Sequence, residues 1–338
     1  MFPRLAKCFS FTASRDWLYR QSFSAAGLRA AVTDFGDGTV MHCWVPKIHD
    51  TTKPSLVLIH GFGANAMWQY GDHLRNFVGN FNVYVPDLLF FGESYSSRPE
   101  RTESFQAVCL RKLMDYHDVQ RMSMVGISYG GFVAYSFAAQ FPDDVEKLTL
   151  CCTGVCLEEI DMKNGLFKVS DLDEAASILM PQTPEKLREL MRMSFVRPAR
   201  GVPSWFLADF IDIMCTNCIE EKKGLLEAIL KGRKLSNLPK IQQKNIGYLY
   251  FLKMNDLNTS QHCVMLDGAA NANRMGRARS DIPSGVRAQI KKAYRWKCSN
   301  CGDQECRACS EPREVQRVFQ ALEVLPRWSQ VMCFLTLT

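Results

Sequence analysis

Gly126-Ile127-Ser128-Tyr129-Gly130 sets a serine between two glycines. A short apolar run (Met122, Met124, Val125, Ile127) gives way there to a small-residue helical pattern from Phe132. A serine hydroxyl is a weak nucleophile until geometry exposes it and a base takes its proton. A strand turning sharply into a helix supplies the geometry: the serine is cramped, its Oγ is lifted above the sheet edge, and the helix N-terminus favours developing negative charge. Any side chain at 126 or 130 would collide with a neighbouring strand or helix, so both positions demand glycine. Ser128 is the candidate nucleophile.

A second glycine motif lies upstream. Ser55-Leu56-Val57-Leu58-Ile59 is a continuous apolar run suited to a strand buried on both faces, and it ends in His60-Gly61-Phe62-Gly63. The glycines let the Phe62 N–H point inward, where it pairs with the Tyr129 N–H as donors to a tetrahedral oxyanion. Two such donors are worth several kcal/mol of barrier. His60 reads as a structural hydrogen-bonding residue that braces this loop, not as a base.

The elements needed to position these groups follow in order. Gly38 to Pro46 predicts an antiparallel edge strand, Trp68 to Val78 a helix, and Phe81 to Asp87 a strand closing on the loop Leu88 to Ser94. Phe90 and Phe91 in that loop are expected to face a pocket. Ser104 is the expected cap of a helix running to about His117, with Phe105, Val108, Cys109, Leu113 and Tyr116 at helical spacing. Val145 to Cys152 predicts another buried strand. His42, His73 and His117 stand outside any motif and read as surface or packing residues.

LVLIHGFGANAMWQY, YVPDLLFFGES and MVGISYGGFVAYSFAAQFP, taken together, resemble plant α/β-hydrolases related to bacterial carbon–carbon bond hydrolases and epoxide hydrolases. The resemblance runs from about residue 8 to 240. It implies an α/β fold with a mostly parallel sheet flanked by helices, a helical lid between the sixth and seventh strands, and a Ser…Asp…His triad in that order. Serine at the elbow, where epoxide and dehalogenating relatives carry aspartate, implies hydrolysis of an ester or a C–C bond in a small hydrophobic ester or ketone-like substrate. No cofactor is implied. The expected organisation is a first core segment at 1–155, a lid at 156–240 and an aberrant tail at 241–338. In the lid, Thr183-Pro184-Glu185 is a helix start. Leu187, Leu190, Met191, Met193 and Phe195 give one apolar side, and Trp205, Phe206, Phe210 and Ile213 another.

Composition narrows the remaining classes. A chain of 338 residues, 47% hydrophobic and 22% charged, can bury a full core. The net charge of +6 is spread without a basic block, against nucleic-acid binding. No apolar run approaches the ~18 residues of a membrane span. Fourteen cysteines in a chain this large, with no secretory signal, suit free thiols in a reducing compartment. The first thirty residues are basic, with Asp16 the only acid. They read as a retained segment of a cytoplasmic protein, or alternatively as a plastid or mitochondrial transit peptide.

The pattern breaks after Ile241. The resemblance requires a strand ending in Gly-Glu-x-Asp and, later, one ending in Gly-His; neither follows. The only histidine beyond His117 is His262, and Leu249 to Asp256 offers only an imitation of the acid-bearing strand, with Asp256 too near His262 in sequence for the two to act as a pair. Cys298-x-x-Cys301-x4-Cys306-x-x-Cys309 has the ligand types for zinc, but its central gap is short. A frame change accounts for it better. Writing Met275 to Pro283 as ATG GGG CGA GCA CGA TCA GAT ATT CCC and starting one base later gives Trp-Gly-Glu-His-Asp-Gln-Ile-Phe. Writing Cys306 to Cys309 as TGC AGG GCA TGC gives Ala-Gly-His in the same shift. Both missing motifs emerge in order, so no metal is expected. Residues near 242–267 would then be an inserted stretch.

Overall fold

The computed structural model describes residues 10–63, 65–151, 153–155, 171–194, 199, 201–239, 241, 246–252 and 262–267. A nine-stranded sheet forms the middle layer: β1 (Leu28–Asp34), β2 (Thr39–Pro46), β3 (Ser55–Ile59), β4 (Asn82–Pro86), β5 (Tyr95–Ser96), β6 (Met122–Ile127), β7 (Val145–Cys151), β8 (Ile246–Leu252) and β9 (His262–Asp267). Its order is β1-β2-β4-β3-β6-β7-β8-β9, with the short β5 attached to β2. Strands β4, β3, β6, β7 and β8 run parallel, and β1, β2 and β9 are antiparallel to their neighbours. The mostly parallel sheet expected from the sequence is present.

Strand β3 shows why continuous apolar runs make the centre. Leu56 and Leu58 pack on one face and Val57 and Ile59 on the other, all fully buried. Three helices, α1 (Phe11–Ala25), α2 (Ala66–Tyr70) and α3 (Arg75–Val78), cover the first face through Tyr19, Phe23, Met67, Tyr70 and Phe77. The second face is covered by α4 (Glu103–Tyr116) and α5 (Tyr129–Gln140). Between β7 and β8 the chain inserts α6 (Leu172–Leu179), α7 (Pro184–Ser194), α8 (Ser204–Met214) and α9 (Ile219–Leu230). The first three of these share a core of their own around Ile178, Leu187, Phe206 and Phe210.

Several sequence expectations shift by a residue or a role. The 38–46 segment is a strand but not the edge, because β1 pairs outside it. The helix expected at 68–78 is two short ones. Helix α4 is capped by Thr102, whose extended backbone lets its hydroxyl accept from Phe105 N at 3.1 Å, so Ser104 lies inside the helix. Thr183 caps α7 as expected, accepting from Lys186 N. On α8, Phe206 and Phe210 are buried but Trp205 and Ile213 face outward.

Beyond β7 the sheet continues. Backbone segments rich in β-formers extend it: β8 continues the parallel series and β9 turns back antiparallel. Asp256, Phe195, the Cys298–Cys309 cluster and the whole of 268–338 lie outside the described residues.

Candidate active site

Ser128 sits at the corner between β6 and α5 with φ 52° and ψ −116°, a left-side conformation rare outside glycine. The surroundings hold it there. Its N–H donates to Cys151 O at 2.9 Å, and its carbonyl accepts from Gly131 N at 3.0 Å. A Cβ on Gly126 would stand 2.5 Å from Gly130 O, and one on Gly130 only 2.4 Å from His60 O. Helix α5 therefore presses its backbone directly onto β3 and β6, and the corner cannot relax outward. Ser128 is the half-exposed residue in an otherwise buried stretch.

The loop after β3 meets this corner. A Cβ on Gly61 would lie 3.2 Å from Ser128 Cβ, so the two motifs separated in sequence are adjacent in space. Gly63 adopts φ 111°, which a side chain would oppose. Phe62 and Tyr129 stack edge to face at 5.6 Å, and Phe91 closes on Phe62 at 5.0 Å. Among the described residues the backbone N–H groups of Phe62 and Tyr129 have no protein acceptor.

His60 is committed elsewhere. Leu88 N donates to its Nε2 at 2.9 Å, and its Nδ1 bonds Gly61 O at 2.7 Å, which fixes the neutral Nδ1–H tautomer. Burial pushes its pKa down, against the opposing pull of the Asp87 charge and the Gly61 carbonyl, and the Lys222 charge adds to the lowering. Both ring nitrogens are occupied, so it braces the loop.

Asp87, at the end of β4, is the buried hub of the same region. It accepts from Ala66 N and from His42 Nδ1, each at 2.8 Å. Burial alone would raise its pKa; the His42 hydrogen bond, the neighbouring imidazoles and the Ala66 N–H outweigh it, and the carboxyl is held below its usual range. A Cβ on Gly92 would fall 2.2 Å from Asp87 Oδ2, so the 88–94 loop can fold over the carboxylate only with glycine there. Gln106 of α4 anchors that loop by bonding both Leu89 N and Leu89 O.

None of the histidines whose side chains are described, His42, His49, His60, His73 and His117, reaches the serine. His42 is spent on Asp87, His49 on Tyr84 at 2.9 Å, and His60 on its loop. His73 follows α2 and His117 caps α4 against Tyr84; neither bonds Ser128, whose Oγ has no hydrogen-bond partner among the described residues. The backbone of His262 begins β9 opposite Leu252, at the sheet edge where β6 also ends. Among the described residues no His, Cys, Asp or Glu cluster suits a metal. Five described cysteines (43, 109, 151, 215 and 218) are free thiols.

The structure places Ser128, Phe62 and Tyr129, grouped in the sequence analysis, beside one another. Sequence reasoning missed the Asp87–His42 pair, Gln106 and Lys222. His42 was read as surface or packing; it is fully enclosed and hydrogen-bonded to Asp87. Nothing in linear spacing links positions 42 and 87; only the antiparallel pairing of β2 with β4 does.

Comparison with known proteins gives this arrangement its relatives. The family model described as "alpha/beta hydrolase fold" matches residues 54–200. An uncharacterized protein of Mycobacterium tuberculosis is 34% identical over 146 residues, covering 43% of this chain and 39% of its own. The monoacylglycerol lipase ABHD6 of Bos taurus is 27% identical over 202 residues, covering 56% and 58%. The chain thus spans less than two thirds of the length of these curated relatives. Among solved structures, a bacterial membrane phospholipase A superposes with TM-score 0.55 at 23% identity, covering 70% of this chain and 73% of that one. The 2-hydroxy-6-oxo-6-phenylhexa-2,4-dienoate hydrolase of Rhodococcus sp. strain RHA1 superposes with TM-score 0.51 at 17% identity, covering 65% and 78%.

Proposed function

With the alpha/beta hydrolase fold of this chain as the premise, we propose that it is a serine hydrolase for hydrophobic esters or related carbonyl compounds, running without its own triad acid and base. Ser128 Oγ attacks the carbonyl, the Phe62 and Tyr129 amides receive the oxyanion, and the acyl group passes to water. The observation that carries the reading is the strained conformation of Ser128, wedged against Gly61. The similarity to a monoacylglycerol lipase favours an acylglycerol-like, apolar ester as substrate. The inserted helices α6–α9 act as the lid, and Phe62 and Phe91 supply apolar wall.

The missing base sets the rate. A serine with its oxyanion donors but no imidazole keeps only a remnant of triad catalysis, about 10³–10⁴ over water. On this reading residues near 242–267 are an inserted stretch, the tail from 268 onward is the frame-shifted remainder of the coding sequence, and the absent acid and base are its Glu-His-Asp and Gly-His. A catalytically silent small-molecule-binding protein is the second reading, favoured by a Ser128 hydroxyl with no hydrogen-bond partner among the described residues.

A fluorophosphonate probe separates the two. The hydrolase reading expects slow, stoichiometric labelling that Ser128→Ala abolishes. Absence of labelling, with retained binding of apolar esters in Ser128→Ala, would leave the binding protein standing.

A further inference from the structure

Lys222, on the second turn of α9, is only 4% exposed. Its ammonium lies over the Phe91 ring, 5.1 Å from the centroid. Phe91 in turn touches His60 at 5.3 Å and Phe62 at 5.0 Å, so a single aromatic ring separates this cation from the loop beside Ser128. Two other cations rest on rings along the same seam between the inserted helices and the core. Arg101 lies over Phe90 and reaches Glu221, and Arg233 lies over Phe132 and reaches Glu103. Lys222 has neither a carboxylate within ion-pair distance nor a hydrogen-bond acceptor for Nζ among the described residues.

The Lys222 side chain is enclosed with no ion-pair partner among the described residues, and a face-on aromatic ring returns only part of the hydration an ammonium loses there. Burial accordingly lowers its pKa, against the pull of Cys215, Cys218 and Glu221. A methionine or leucine would fill the same space and stabilise the helix packing. A charge kept in such a place is explained by a counter-charge that arrives with a ligand.

We infer that Lys222 is the anion-recognition residue of the pocket, taking a carboxylate or phosphate group carried by the ester substrate away from its scissile bond. The Phe91 ring sets the spacing: the acyl or alkyl portion lies along Phe62 and Phe91, with the ester at Ser128 and the anion at Nζ. The guanidinium groups nearby are already neutralised, so the preference rests on this one residue. The inference uses the hydrolase reading only to place the pocket.

Binding tests it without turnover. Monohexyl succinate, hexyl phosphate and the neutral methyl hexyl succinate would be titrated calorimetrically into the Ser128→Ala protein. At least one anion should bind tenfold or more tightly than the neutral diester, and which one does so tells carboxylate from phosphate. The margin should vanish in Ser128→Ala/Lys222→Met and survive largely in Ser128→Ala/Lys222→Arg. Lys222→Met should also raise the melting temperature, since it removes an uncompensated charge. Equal binding of all three ligands, a margin indifferent to Lys222→Met, no binding at all, or a lowered melting temperature would each overturn the inference. Failure of Ser128 to react with a fluorophosphonate would sink the hydrolase reading while leaving the anion margin intact.

Discussion

Asp87 Oδ2 lies 2.8 Å from His42 Nδ1 in a site closed to solvent, joining β2 to the end of β4. The other carboxylate oxygen takes the Ala66 N–H at the entry to α2, the helix that follows the Gly61–Gly63 loop. One side chain therefore ties the sheet to the loop beside Ser128. Asp87→Ala strands two buried donors, and an expected loss of about 3 kcal/mol follows. Asp87→Asn keeps an acceptor for Ala66 N and should cost less. Urea denaturation of the two variants checks the order.

Glycines in this chain divide sharply by what a methyl group would meet. At Gly130 it would strike the His60 and Ile59 carbonyls at 2.4 and 2.5 Å, so Gly130→Ala should unfold the corner or cost about 3 kcal/mol or more. At Gly79, with φ −66° and open space around it, alanine should be neutral or stabilise by roughly 0.4–1 kcal/mol. Thermal melts of both variants check the order.

His60 gives stability a pH dependence of defined sign. Its folded pKa lies below the usual 6.5, so the unfolded chain binds the extra proton first as pH falls. Its contribution is complete above about pH 6.5 and is lost as pH drops through the lower folded value. Asp87, also depressed, adds a second loss beneath its usual 3.8. His60→Asn should flatten the first limb and leave the second, as read from unfolding free energies between neutral and acid pH.

Ser128 should behave as a mounted but unassisted nucleophile. Full-length protein is expected to hydrolyse p-nitrophenyl esters at least 10³-fold more slowly than a complete triad would. His262→Ala should leave that residual rate unchanged, as should His42→Gln in whatever fraction remains folded. A large fall on removing His262 would show that β9 carries a working base.

The coding sequence offers an independent check. A transcript across residues 268–338 should encode Gly-Glu-His-Asp and Gly-His one base out of frame. A protein made from the realigned frame, with 242–267 removed, should regain rapid fluorophosphonate labelling.

The elbow was readable in the sequence because glycines at 126 and 130 answer to backbone collisions that any such corner imposes. The central strands were readable because burial on both faces requires unbroken apolar runs. The Thr102 cap was misplaced by two residues because Ser104 offers the same hydroxyl; the extended backbone at Thr102 decides it. Lys222 escaped notice because it stands in Glu220-Glu221-Lys222-Lys223, a charge run that reads as a solvated face, and only packing turns one member inward.

Strand β9 runs against β8, with only residues 253–261 between them. Nine residues cannot carry a crossover helix back to start a parallel strand, which takes a dozen or more, so connection length alone dictates the polarity. Asp267 consequently ends beside Gly247, level with Thr149 and Val125, about 10 Å of strand below the rim that bears Ser128. The strand's outgoing end is thus turned away from the serine, while its incoming end, at the His262 backbone, stands at the serine's own rim.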